Sequence, residues 1–115
     1  MPSSTRIRVF GYGMPRVGNG AFADYVDTIF GDGSDLTRIN NREDFIPMLP
    51  PADWGFVHPS GEVHIQDSGD WVACSAQPGE ENTSNLCTLG DVGLLHFSIQ
   101  DHLGPYNDGI NFSQC

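Results

Sequence analysis

The sequence contains no lysine, and its five basic residues, Arg6, Arg8, Arg16, Arg38 and Arg42, all fall in the first 42 of 115 positions. Fifteen acidic residues oppose them, giving a formal charge of -10. A field of that sign repels phosphate backbones and anionic headgroups, which argues against a nucleic-acid partner. The acidic excess is expected to form a solvated surface over the C-terminal two thirds. Long apolar runs are missing too: none approaches the ~18 residues of a membrane span, so no transmembrane segment is expected. No apolar h-region follows Met1 to Arg6, so this stretch is not expected to be a secretory leader. None of its nine serines (Ser3, Ser4, Ser34, Ser60, Ser68, Ser75, Ser84, Ser98, Ser113) sits in G-x-S-x-G.

What is present points to one loop-rich globular segment rather than a helical bundle or a disordered tail: 38% hydrophobic residues with 14 glycines and 8 prolines. Three cysteines leave two readings open. Cys74 and Cys87 flank a turn-rich stretch and could close a small loop, leaving Cys115 to seek a partner elsewhere. Alternatively all three are reduced thiols of a cytosolic protein. Asn82-Thr83-Ser84 and Asn111-Phe112-Ser113 are glycosylation sequons, a modest pointer to a secretory origin.

Arg6 to Gly13 reads as a strand opening into a glycine turn. Asn19 can cap a following helix, in which Phe22, Tyr25, Val26, Ile29 and Phe30 recur with the helical period, the stripe of a helix packed on a sheet. Gly31-Asp32-Gly33 ends it, and Leu36 to Asn40 is a second strand. Strand, helix, strand is a βαβ unit and implies a parallel sheet. Pro47, Pro50 and Pro51 then predict an extended loop. Gly55 to His58 and Glu62 to Ile65, around Pro59-Ser60-Gly61, predict an antiparallel hairpin. Trp71 to Cys74 adds a strand, residues 75–91 read as irregular, and residues 92–99 as a short helix.

Two polar residues lie where α/β folds place functional groups, in loops beyond strand ends. Asp44 follows the second strand, and His102 sits in Asp101-His102-Leu103-Gly104-Pro105. An acid followed by a histidine is the order of the last two members of an α/β-hydrolase triad, in which the histidine takes the serine proton and the carboxylate orients it. On spacing alone a turn-forming or capping aspartate and a solvated histidine are the commoner reading. His58, His64 and His96 offer no set of three or four ligands at zinc spacing, so neither metal nor other cofactor is expected; they read as strand, loop or helix residues.

Larger blocks carry a resemblance. Gly11-Tyr12-Gly13-Met14-Pro15-Arg16-Val17-Gly18-Asn19 with Ala21-Phe22-Ala23 resembles the segment after the nucleophile helix of fungal class 3 lipases and related feruloyl esterases. Arg38-Ile39 through Asp44-Phe45-Ile46-Pro47-Met48-Leu49-Pro50-Pro51 resembles the block holding their triad aspartate. Trp54 to Ser60, with Glu62, is similar to the hairpin that follows. The likeness runs from about residue 6 to the C-terminus and is densest over residues 11–65.

The resemblance implies the C-terminal part of an α/β-hydrolase sheet, a partial domain at 1–115 lacking the half with the nucleophile elbow. It implies Asp44 as triad acid and His102 as general base, with serine, oxyanion hole and lid all before residue 6. Glu43 is then a surface charge, and Trp54, Phe56 and Trp71 are packing residues or the lining of an acyl groove. It also implies a local bridge between Cys74 and Cys87, a partner for Cys115 that this chain lacks, a secreted parent enzyme, and a triacylglycerol or other ester substrate met at an interface. Such a chain is expected to be inactive alone and, with its opening strand lacking a neighbour, prone to aggregate. The contrasting reading is a non-catalytic half-domain that binds lipid or a protein through its sheet edge.

Overall fold

A computed structural model describes residues 4–31, 34–76, 79–93, 97–106 and 110–112. Four strands form one sheet in chain order: β1 (Val9–Tyr12), β2 (Leu36–Asn41), β3 (Glu62–Ile65) and β4 (Trp71–Cys74). The first three are parallel, and β4 returns antiparallel to β3. Helix α1 (Gly20–Phe30) connects β1 to β2, completing the βαβ unit. Two single-turn helices, α2 (Thr88–Asp91) and α3 (Ile99–Leu103), follow the sheet. The fold is the α/β class that the alternation of elements implies.

Local chemistry sets the boundaries of α1. The Asn19 side chain accepts from Phe22 N at 3.0 Å, and Gly31 ends the helix in the left-handed region at φ 64°. Its facing differs from the expectation. Ala23 and Asp27 are the buried positions, whereas Phe22, Tyr25 and Ile29 are exposed, Tyr25 by 65%. Asp27 turns inward because Ser60 satisfies its carboxylate, donating from both N and Oγ at 2.8 Å. The apolar stripe is therefore a second surface. Phe10 is likewise 58% exposed, and among the described residues β1 pairs on one side only.

The predicted hairpin moves. β3 pairs not with Gly55 to His58 but with β4, across a turn closed by Gln66 N to Asp70 O at 2.8 Å. Val57 instead makes an isolated antiparallel bridge to Gly18. Pro59 has no N–H to extend a ladder, while Asp67-Ser68-Gly69 supplies turn residues. The proline loop is not simply extended, since it holds 3-10 turns at Ile46–Met48 and Ala52–Trp54. The helix expected over 92–99 is replaced by α2 and α3 on either side, and residues 94–96, His96 among them, lie outside the described residues. Trp54 does not pack inside: it is 74% exposed, and Trp71 is exposed as well. Among the described residues no helix is long and apolar enough to cross a membrane.

Two faces of the sheet divide the work. Ile39, Ile65 and Tyr106 form the apolar cluster on one, with Tyr12 packed edge-on to Tyr106 at 5.3 Å. On the other, Arg38 and Asn40 lie beside Glu62 and His64 in the parallel register. That polar layer is capped by α2: Thr88 Oγ1 meets Asn40 Nδ2 and His64 Nδ1, both at 2.9 Å, and Thr88 N donates to Glu62 at 3.1 Å. Cys74 and Cys87, which starts α2, are joined by a disulfide. Closing a loop of 13 residues' separation removes chain entropy of the unfolded state. Replacing both cysteines by serine is expected to lower unfolding stability by about 3 kcal/mol, read as a drop in the urea midpoint that reductant produces in the parent and not in the variant.

Candidate active site

Asp44 lies three residues beyond the carboxyl end of β2, in a turn closed by Asp44 N to Asn41 O at 2.9 Å. The carboxylate is fully buried, at 0% exposure. Its Oδ1 accepts from Ile46 N, and its Oδ2 meets His102 Nδ1, both at 2.9 Å. Burial pushes the Asp44 carboxyl above its ordinary value, and the hydrogen bonds from His102 and Ile46 offset part of that rise.

His102 sits on α3, whose Ser98 caps it by accepting from Asp101 N at 3.2 Å. Its side chain is 27% exposed. Because Asp44 accepts at Nδ1, the neutral ring carries its proton there and leaves the Nε2 lone pair available, the tautomer of a general base. Among the described residues no hydroxyl or thiol is hydrogen-bonded to Nε2. Sequence reasoning thus named two residues, 58 positions apart, that the fold brings into contact.

Three further groups shape the pair, none of which the sequence marked as a site residue. Tyr106 Oη donates to the His102 carbonyl at 2.7 Å; its burial, and after it the Asp44 charge, pushes the phenol upward in pKa. Gly13 adopts φ +59°, and a Cβ there would lie 2.6 Å from His102 Nδ1 and 2.8 Å from Asp44 Oδ2. The backbone thus approaches the pair as closely as only glycine permits. Arg16 binds Glu81 in a forked pair at 3.0 and 3.1 Å, and donates to the carbonyls of Met48 and Pro50 (2.9 Å to Pro50). It thereby fastens the loop that follows Asp44.

His58 is buried, and its Nε2 donates to Pro47 O at 2.6 Å. Burial, aided by the Arg38 charge, lowers its pKa from 6.5 to about 3, so it stays a neutral donor. His64 imitates a triad, with Thr88 Oγ1 at Nδ1 and Asp91 Oδ2 at Nε2 at 3.0 Å. It is wholly buried, however, and Thr88 already accepts from Asn40, so no substrate reaches it. Glu43 is half-buried rather than a surface charge. Glu62, Cys74 and Cys87 are the one close group of metal-ligand types among the described residues, and its sulfurs are committed to the disulfide.

Of the sequon residues, Asn82 is half-buried, donating to Ser75 O at 2.7 Å and accepting from Ser84 N at 2.9 Å. Asn111 is half-buried too, while Ser113 and Cys115 lie outside the described residues. A cleft of about 470 Å³ is lined by Phe45, which follows Asp44 in the chain, with Met48, Leu49, Val92 and Phe97. Trp54 and Phe56 line a smaller cleft with Phe22.

A mostly parallel sheet that holds a buried acid and a partly exposed histidine beyond its strand ends is the architecture of an α/β hydrolase. Residues 1–54 match the class 3 lipase family. The chain is 39% identical over 98 residues to a secreted mono- and diacylglycerol lipase of Malassezia globosa, covering 83% of this chain and 29% of that protein. It is 34% identical to a lipase of Rhizomucor miehei, over 98% of this chain and 29% of the relative. A solved triacylglycerol lipase, described as having a serine-protease triad as its catalytic centre, superposes with a TM-score of 0.71 at 32% identity, over 96% of this chain and 39% of that one. The chain spans roughly a third of the length of these relatives, and over that span it belongs to the fungal class 3 lipase family.

Two outcomes follow from the geometry. Gly13→Ala is expected to push Asp44 and His102 apart, read as loss of the His102 Nδ1–H resonance in NMR. A neutral His58 contributes stability that is complete above about pH 6.5 and lost as the pH falls toward 3, because the unfolded chain takes up the proton first. Asp44 and Glu62, raised by burial, work in the opposite direction. His58→Asn should therefore show a smaller fall in urea midpoint between pH 7 and pH 4.5 than the parent protein.

Proposed function

We propose that these residues are the acid-and-base portion of a secreted serine carboxylester hydrolase, a triacylglycerol or related acylglycerol lipase, whose nucleophile lies outside these 115 residues. The observation that carries the reading is the 2.9 Å Asp44–His102 hydrogen bond with Nε2 left open. The likeness to an enzyme described by its triad supports it, as does the length of the relatives, about three times that of this chain.

In this mechanism His102 Nε2 takes the proton of a serine hydroxyl as its oxygen attacks the ester carbonyl. The imidazolium then gives that proton to the departing alcohol, leaving an acyl-enzyme. A water attacks the acyl carbonyl, His102 again accepting and returning a proton, and the fatty acid leaves. Asp44 orients the ring and stabilises its positive form without itself being protonated. The apolar cleft beside Phe45 is suited to an acyl chain. Neither metal nor cofactor enters any step.

The secreted character rests on the named relative, on the Cys74–Cys87 disulfide and on the sequons at Asn82 and Asn111, which we take as glycosylation sites. Cys115 is taken to pair with a cysteine outside this sequence. On this reading the nucleophilic serine and its oxyanion hole lie outside the 115 residues, which by themselves form no acyl-enzyme.

Hydrolysis of p-nitrophenyl butyrate tests the reading. The chain alone should match its own His102→Ala variant, with no turnover above the uncatalysed rate. A polypeptide that also carries the serine elbow should lose about 10⁴–10⁶-fold in kcat on His102→Ala and about 10⁴-fold on Asp44→Asn. Activity that survives either substitution would assign the chemistry elsewhere and leave a binding role for this half-domain.

A further inference from the structure

We propose that Asn41 is a positioning residue for His102, its side-chain amide holding α3 against the strand end from which Asp44 projects. The inference rests on the acid-and-base reading of Asp44 and His102, and goes beyond it by naming what keeps the two in register.

Asn41 is the last residue of β2 and is 1% exposed. Its Nδ2 donates to the carbonyl of Asp101 at 3.0 Å and to that of Pro105 at 3.3 Å. Those carbonyls flank His102 in the chain, one immediately before it and one three residues after. A single planar amide therefore grips the backbone on both sides of the histidine, which opposes both rotation of the short helix and sliding along the sheet. The same residue reaches Asp44 through a turn of three residues, closed by Asp44 N to Asn41 O at 2.9 Å. Acid and base thus take their positions from one strand end.

Neighbouring contacts act on the same junction. Asp101 Oδ2 accepts from Glu43 N at 3.2 Å, and Ser98 N donates to Glu43 O at 2.9 Å. These join the loop to α3 before His102, whereas Asn41 also reaches past it to Pro105. The amide works through its donors: among the described residues Asn41 Oδ1 has no hydrogen-bond partner. Helix α3 has only five residues, too few to hold its own conformation without tertiary contacts. A misplacement on the order of 1 Å at a reacting nitrogen costs roughly 10²-fold in rate.

Asn40 provides the internal control. It is the preceding residue, equally buried, and it also donates through its amide, but consecutive strand side chains face opposite sides of a sheet. It bonds Thr88, away from His102. The test compares Asn41→Leu with Asn40→Leu in the intact protein by two readouts, the His102 Nδ1–H resonance and, in the serine-bearing enzyme, the steady-state constants. Asn41→Leu should abolish or shift the resonance and lower kcat about 10²-fold with KM little changed. Asn40→Leu should lower the urea midpoint without moving either.

If Asn41→Leu destabilises the protein yet leaves resonance and kcat intact, or if Asn40→Leu perturbs both equally, Asn41 is merely structural and the proposal falls. Should Asn41→Leu fail to fold, the parent protein still decides. Trans-hydrogen-bond couplings from Asn41 Nδ2 to the carbonyls of Asp101 and Pro105 must be present, and their absence overturns the assignment. Failure of the catalytic reading is separable: His102→Ala would then leave ester hydrolysis unchanged, while the resonance would still report whether Asn41 holds the ring.

Discussion

β2 is buried over both faces, yet its sequence places Arg38, Asn40 and Asn41 there, and each buried donor must find a partner or destabilise the fold. The surrounding chain supplies partners to Arg38 Nε, Asn40 Nδ2 and Asn41 Nδ2, while Arg38 Nη1 is left without one among the described residues. Arg38 Nε reaches the Pro59 carbonyl at 2.9 Å, which fixes the approach to β3. Asn40 draws Thr88 and with it α2 onto one face. Asn41 draws the backbone around His102 onto the other. Among the described residues, buried polar and charged side chains outnumber buried hydrophobic ones, so hydrogen bonding as well as apolar volume specifies how the loops sit.

That arrangement explains why one aspartate–histidine pair is suited to chemistry and the other is not. Both pairs are held near 3 Å, but His64 is sealed beneath α2 and saturated by Thr88 and Asp91. In the Asp44–His102 pair the burial is unequal. The acid is enclosed, where its orientation is enforced, and the ring remains partly open, where a proton can be exchanged. Gly13 supplies a backbone wall with no side chain in the way, and Tyr106 holds the histidine carbonyl from behind.

The uncovered apolar surface belongs to the same account. Phe10 on β1 and Tyr25 and Ile29 on α1 stand exposed, and among the described residues β1 pairs with β2 alone. The inward contacts of α1 are made by Ala23 and by Asp27 with Ser60, so Phe22, Tyr25 and Ile29 stay exposed. Relatives about three times as long have far more chain with which to cover such a face.

Local rules carried much of the fold. The Asn19 cap, the Gly31 terminator and the strand–helix–strand alternation depend on short-range geometry, and all are realised. The motif around Asp44 and the run Asp101 to Pro105 that holds His102 were legible for the same reason, being contiguous runs of residues. What failed was partner choice. Val57 paired with Gly18 and not with β3, the helical stripe faced outward, and the helix read over 92–99 gave way to α2 and α3. Periodicity states that a face is apolar or that a run is extended, and is silent on what lies opposite. The sequence by itself determined which residues were able to form an acid and a base, since side-chain chemistry and order along the chain are local properties. Only the tertiary structure decided that they meet at 2.9 Å, with the carboxylate dry and the ring partly open. Burial and contact across 58 positions are properties of packing, set here by amides and backbone carbonyls that no motif announces.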